Sequence, residues 1–548
     1  MNPYNLLTEN WIPVRRADGK RLSIPPWRIT DPGDGAPDQT IADIDSPRPD
    51  FKGALLELLI GLVQTALPPE DLRQWRQRFD EPPSPDELKT AFDRLIPHFN
   101  LFGDRPRFLQ DLTLSEKDAK APKAVAALLM DTPGDITLDY NKDFFIKRHE
   151  PPDALCPACA AAALYALQAY SPAGGAGHRT SMRGGGPLTT IVIIEEDLWK
   201  TVWANVLPLQ GTQAEKLPDD PAKLPDKVFP WLAPTRESKA KGTEIHSKGM
   251  HFLHHYWAMP RRVVLMPEPA GQGFACPVCG LSADIAVREY QTKNYGNNYG
   301  AGWRHPLTPY RAQKPGEDAL SLKGQSDRRG YNHWLGLVYG DTADGKFPVQ
   351  PAAGPQHFSK HSQDLAGEEI GRLRAYGYDF DKMKPLNWCE GEYPIYSLKG
   401  GDAAYFAQIV SPLLQAADQA RRNLKTALKE ALFGKGARDA DSDGSLLANI
   451  DARFWDETQS AFYDCLPRLI RARDDAEARL EIALAWRGVI LPKAVELFVQ
   501  TALDGGIPDG QEKRRFEAYT TMKSSNDNAC SKLLGIPRQG RRMRDENH

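Results

Sequence analysis

A chain of 548 residues is too long for one compact core, so two to four domains are expected. Hydrophobic residues make up 41% and charged residues 26%, and the formal net charge is −3, which is the balance of an ordinary globular protein and argues against a surface coated in basic residues. A local basic groove remains open, because 69 Lys and Arg must sit somewhere.

No run approaches the roughly 18–20 apolar residues of a membrane helix. The start, "MNPYNLLTENWIPVRRADG", lacks the pattern of a signal peptide, and seven cysteines fit a reducing compartment. A cytoplasmic protein with no membrane association is expected.

The first 50 residues, rich in Pro and Gly, predict irregular, strand-bearing structure. "FKGALLELLIGLVQTAL" from Phe51 is apolar around most of its circumference and predicts a buried helix. "SPDELKTAFDRLIPHFNLF" predicts a second, with Ser84 and Glu87 as a capping box. Residues 130–155 show no period and predict a long loop. "CPACAAAALYALQAY" predicts a short helix that starts at a cysteine knuckle, and "TTIVIIEE" and "RRVVLMP" predict buried strands. Residues 205–250 read as surface connection. "GYDFDKMKPLNW" predicts a hairpin with Asp381-Lys382 at its tip. Beyond residue 400, apolar positions recur at three and four residues over 402–433, 446–470, 473–504 and 508–534, with Pro492 predicting a kink in the third segment. The fold class expected is α+β: a large mixed α/β N-terminal domain (1–400) with a structural zinc site, then a C-terminal four-helix bundle (401–548).

The strongest chemical signal is Cys156-Pro-Ala-Cys159 with Cys276-Pro-Val-Cys279-Gly280. Two residues between thiols let one turn aim both sulfurs at one ion, and four thiolates close a tetrahedral zinc shell. A closed shell leaves no open position, so the Zn2+ is structural. The stretch "SPAGGAGHRTSMRGGGPLTT" is not a phosphate loop of a nucleotide enzyme. It lacks G-x-x-x-x-G-K-[ST], and it follows a helix, whereas a dinucleotide fingerprint follows a strand. What remains is backbone without side chains, beside an arginine, able to approach a ligand closely. "DYNKDFFIKRH" mixes aromatics with Lys142, Lys147 and Arg148, a combination suited to phosphate pairing and base stacking. In "YQTKNYGNNYG", Lys293 stands beside amides and tyrosines, and in the hairpin Phe380 and Met383 suit insertion between bases.

Taken in order, "NLLTENWIPV", "FIKRHEPPDALCPAC", "MRGGGPLTT", "GWRHPLTP" after the second cysteine pair, and "GYDFDKMK" before a helical bundle resemble the CasA family over essentially the whole chain. CasA is the large subunit of Cascade, the type I-E CRISPR surveillance complex of antiviral defense. The resemblance implies a non-enzymatic, DNA- and RNA-binding subunit at the 5′ handle of the guide RNA, beside the backbone, handle-binding and small Cascade subunits. It implies recognition of the protospacer-adjacent motif (PAM) in double-stranded DNA from the minor groove, help in opening the duplex for R-loop formation, and a platform for the helicase-nuclease.

Residue by residue, the family's glycine loop matches Ala173, Gly174, Gly175, Ala176 and Gly177, with alanine twice where glycine is usual. Its lysine finger falls at Asn294, or at Lys293 one place earlier. Its wedge matches Phe380, Asp381, Lys382 and Met383, and its guide- and PAM-proximal loop matches Phe145, Lys147 and Arg148. The four cysteines match its zinc site. Two other readings compete: a zinc-stabilised nuclease, for which His251, His254, His255 and His305 are the candidate ligands, and a purely structural assembly subunit.

Overall fold

The computed structural model describes residues 3–115, 121–132, 145, 150–175, 177–325, 330–340, 348–362, 369–396, 398, 402–434, 445–504 and 510–537. The chain forms two compact units. The first takes in Met1–Ser326, Val349–His361 and Gly371–Glu392, and the second Asp327–Pro348, Ser362–Ile370 and Tyr393–His548.

In the first unit, the proline-rich N-terminus makes a three-stranded antiparallel sheet. Ile12–Arg16 lies between Arg21–Ile24 and Ile41–Ile44, with Ile12 and Val14 turned inward at the period of two. A central helix, Pro49–Ala66, follows. Pro49 occupies its first turn, where no intrahelical donor is needed, and Asp50 complements the helix dipole. The helix is apolar on nearly every face, so it can only be interior. It is buried from Phe51 to Thr65 apart from Lys52, and it packs against helices Pro157–Tyr170 and Leu198–Trp203. Each large side chain taken out of water there contributes about 1.5–3 kcal/mol. Phe99, Phe108, Trp231 and Trp257 form an edge-to-face aromatic cluster beside it. The capping box at Ser84 and Glu87 forms as the sequence predicts.

Two long antiparallel pairs carry the candidate site. Arg262–Pro269 pairs with Ile285–Lys293, from Arg262↔Lys293 to Pro269↔Ile285. Thr189–Ile193 pairs with Glu369–Asp381, which in turn borders Lys384–Tyr396.

In the second unit, four helices run Asp402–Phe433, Ser445–Arg471, Ala476–Ala502 and Glu512–Leu533. The first packs on the other three. Its buried seam, Val410, Leu413, Ala417, Ala420, Leu424, Leu428 and Ala431, keeps the three-and-four spacing of an amphipathic helix. Tyr331, from the segment before the bundle, stacks on Phe462 at 4.4 Å between ring centroids and bonds Thr458 through its hydroxyl at 3.0 Å. Pro492 lies inside the third helix, which continues through it. Among the described residues no helix is long and apolar enough to cross a membrane.

Candidate nucleic-acid interface and metal centre

The four knuckle cysteines converge. Their sulfurs all lie within 4.8 Å of one another, and Cys156 Sγ is 3.7 Å from Cys279 Sγ. A tetrahedral ion held about 2.3 Å from four sulfurs spaces them about 3.8 Å apart, so the set fits one metal ion. Local structure aims each thiol. Cys156 caps the helix that starts at Pro157, and its sulfur accepts the Cys159 N–H at 3.5 Å. The second knuckle is a tight turn in which Gly280 N donates to Cys276 O at 2.8 Å, with Gly280 at φ +74°, a conformation that favours glycine. Hydrogen bonds from Cys156 and Cys159 hold the Cys276 and Cys279 thiols low, while hydrogen bonding to Cys156 together with burial holds Cys159 high. A bound cation removes the repulsion that otherwise keeps all four from ionising.

The four-cysteine cluster anchors two arms. One is the helix Pro157–Tyr170, which runs straight into the glycine loop at Ser171. The other is the strand Ile285–Lys293, whose last residue is the predicted finger. Leu155 and Val287 exchange two backbone hydrogen bonds of 2.9 Å beside the cysteines. Further along, Gln168 clamps the helix to Arg261, accepting its N–H at 2.9 Å and donating to its carbonyl at 3.0 Å. The arms therefore end together. Tyr295 N donates to Gly177 O at 2.7 Å, and a Cβ on Gly177, at φ +80°, would lie 2.9 Å from the Tyr295 ring. Lys293 is exposed, and Ala173, Gly174 and Gly175 are exposed, so the predicted glycine loop and finger form one surface. Ala176 lies outside the described residues.

The second glycine cluster, Gly184–Gly186, is a packing surface. Gly185 abuts Pro172, and a Cβ on Gly186 would strike Tyr378 O and lie 2.6 Å from the Phe380 ring. The hairpin is therefore seated on Gly186. Its two-residue turn is Lys382–Met383, one step beyond the predicted Asp381-Lys382 tip, with Lys382 at φ +57°. Asp381, Lys382 and Met383 project into solvent, while Phe380 is half-buried against the glycine seat. Arg183, in front of this cluster, faces no ligand. It is buried against Glu57 of the central helix at 2.8 Å, and Glu57 also accepts from Tyr170 at 2.7 Å and Thr189 at 2.9 Å.

A family profile described as CRISPR-associated protein Cse1 matches residues 5–495. This chain belongs to the Cse1 family. CasA (Cse1) of Thermus thermophilus is 20% identical to it, with 96% of this chain and 100% of that chain covered and a TM-score of 0.66. Cse1 of Thermobifida fusca is 16% identical, covering 97% and 98% at a TM-score of 0.68. A chain of a CRISPR RNA-guided surveillance complex is 16% identical, covering 96% and 100% at 0.65. The likeness establishes a shared fold from end to end.

The remaining predicted residues of this Cse1-family chain divide. Lys147 and Arg148 lie outside the described residues. The Phe145 ring lies 5.2 Å from the Arg48 guanidinium, and its N–H donates to Asp131 at 3.2 Å. Arg48 is buried between Asp50 and Asp131, each at 2.8 Å, and Tyr378 of the hairpin donates to Asp50 at 2.6 Å. One buried arginine thus connects the Phe145 position to the hairpin. His254 and His255 are packed around Trp303, and burial pushes them down to about 3 and about 4. His254 is spent on Lys227 O and the Tyr299 hydroxyl, and burial lowers His305 as well. Among the described residues the one group arranged to hold a metal is the four cysteines.

Sequence reasoning missed Tyr295, Arg261 and the Gly186 seat. Arg261-Arg262 was visible as a pair, but nothing in the sequence distinguishes Arg262, paired with Asp111, from Arg261, which has no carboxylate partner among the described residues.

Proposed function

We propose that this chain is the non-catalytic large subunit of a type I-E CRISPR RNA-guided DNA surveillance complex. In this reading it recognises the PAM of double-stranded DNA from the minor groove, helps open the duplex beside it, and receives the helicase-nuclease once the R-loop has formed. It contacts the 5′ handle of the guide RNA near Phe145, Lys147 and Arg148, and Zn2+ is the ion of the four-cysteine centre.

The observation that carries this reading is the convergence of the glycine loop, the Lys293–Tyr295 turn and the seated hairpin within one unit of a Cse1-family chain. The minor groove is about 6 Å wide and offers a degenerate pattern of base edges. A loop without side chains and a single lysine suit it better than a recognition helix. Opening the duplex costs a few kcal/mol per unstacked step, which a rigid turn carrying Lys382 and Met383 helps to offset. Base pairing with the guide then reads the rest of the target, so the protein needs no extended basic surface. That fits a net charge of −3.

The test is a complex reconstituted with guide RNA and presented with a library of flanking sequences. Motif-dependent binding that falls when Lys293→Ala and Lys382→Ala are combined supports the reading. Unchanged motif dependence in that variant leaves a structural assembly role. Robust DNA cutting by the isolated chain with Mg2+ or Mn2+ makes it an enzyme instead.

A further inference from the structure

We infer that the glycine loop is a seat for a backbone phosphate of the duplex, with Arg261 as its buried charge. The inference rests on the DNA-reading role proposed above and adds a ligand class to the loop.

Arg261 is half-buried directly beneath the loop. Its Nη2 donates to Pro172 O at 2.5 Å and its Nε to Ser171 Oγ at 3.3 Å. The third donor group, Nη1, makes no hydrogen bond among the described residues. It occupies the space a side chain on residue 174 would fill, 2.5 Å from a Cβ built on Gly174. Glycine at 174 thus places no side chain against that donor, at an exposed stretch of backbone.

The charge is equally unspent. Arg262, one residue on, is paired with Asp111 at 2.5 Å and Glu237 at 3.2 Å. Arg261 has neither, and burial lowers it to about 10. Three other cations of this region also lack a carboxylate partner. Arg179 bonds Ser238 through its hydroxyl and carbonyl, Lys323 bonds Arg183 O and Ser321 Oγ, each at 2.8 Å, and Lys293 is exposed. None of the three is paired with a carboxylate among the described residues. A half-buried guanidinium with one donor free and no carboxylate partner matches a phosphate oxygen in charge and geometry. Base edges in the minor groove are mostly neutral acceptors and do not require a full charge. The loop then fixes the register of the duplex, and Lys293 or Asn294 and the hairpin supply the sequence dependence.

The experiment uses the reconstituted complex and duplexes in which each phosphate flanking the motif is replaced in turn by a neutral methylphosphonate. Arg261→Gln should weaken binding roughly tenfold on motif and shuffled duplexes alike and lower the salt slope by about one. One methylphosphonate position should weaken the wild type and leave Arg261→Gln unaffected. Gly174→Ala, which places a methyl group where Nη1 lies, should reproduce that loss with the arginine intact and control for misfolding of the first variant. Additive losses at every phosphate, or a loss confined to motif duplexes with an unchanged salt slope, overturn the inference. If the wild-type complex shows no motif dependence while the phosphate coupling persists, the seat stands and the motif-reading role falls.

Discussion

The buried pair Glu57–Arg183 ties distant parts of the candidate site together. It joins the central helix to the second glycine cluster, and so to the hairpin seated on Gly186. Removing one partner leaves a charge without compensation in the interior, so Arg183→Met is expected to cost about 3–5 kcal/mol in urea unfolding. A loss below 1 kcal/mol would mean that the hydroxyls of Tyr170 and Thr189 suffice without it. His254 and His255 make a second residue-scale prediction. Both are neutral in the folded chain because burial lowers them to about 3 and about 4, while the unfolded chain protonates them near 6.5. Their contribution is complete above pH 6.5 and is lost as pH falls toward 4, at about 1.4 kcal/mol per pH unit for each. Denaturant midpoints that stay flat from pH 7 to 5 would contradict it. At this scale the sequence was a partial guide. Arg183 stands beside a glycine cluster, but nothing in the sequence announces its burial against Glu57, because that partner lies far away in the chain and no local pattern marks the pairing.

At the scale of elements, the four-cysteine cluster is the shared root of a helix and a strand whose far ends carry the glycine loop and Lys293. Fourteen helical residues at 1.5 Å each put the loop about 20 Å from the cysteine cluster, so an ion held there would act on it only through these arms. On the proposed reading the wild type carries one Zn2+ per chain by elemental mass spectrometry, and Cys276→Ser is expected to abolish it and to weaken motif-dependent DNA binding of the complex. Loss of zinc with full DNA binding would uncouple the two. The elements were the most legible part of the sequence. Knuckle spacing, the all-apolar central helix and the amphipathic period of the bundle each follow from a local pattern that tertiary context does not override. The hairpin tip shifted by one residue because turn position depends on strand register, and Lys382 takes a left-handed conformation that the sequence does not announce. Lys382→Gly should preserve the turn, since glycine adopts that φ without strain, while removing the ammonium at the tip. R-loop formation slower than wild type at equal duplex affinity is the expected readout.

For the whole molecule, reading a duplex with loops rather than with a basic face requires that several loops be held rigidly in one place. In the first unit the four-cysteine cluster, the Gln168 clamp and two buried arginines, Arg48 and Arg183, are what would hold them. Family membership follows from the profile match over residues 5–495, and the shared fold extends beyond it. What no single-chain pattern supplied was which loops meet. The Gly177–Tyr295 hydrogen bond joins segments separated by more than a hundred residues, and it is the contact that brings the strand end at Lys293 to the glycine loop. The central claim is tested most directly by equilibrium binding of the guide-loaded complex to a library of duplexes that differ only beside the target, with wild type and the Lys293→Ala, Lys382→Ala double variant measured in parallel. The account predicts a narrow set of preferred flanking sequences for the wild type and loss of that preference in the variant. An identical preference in both would contradict it.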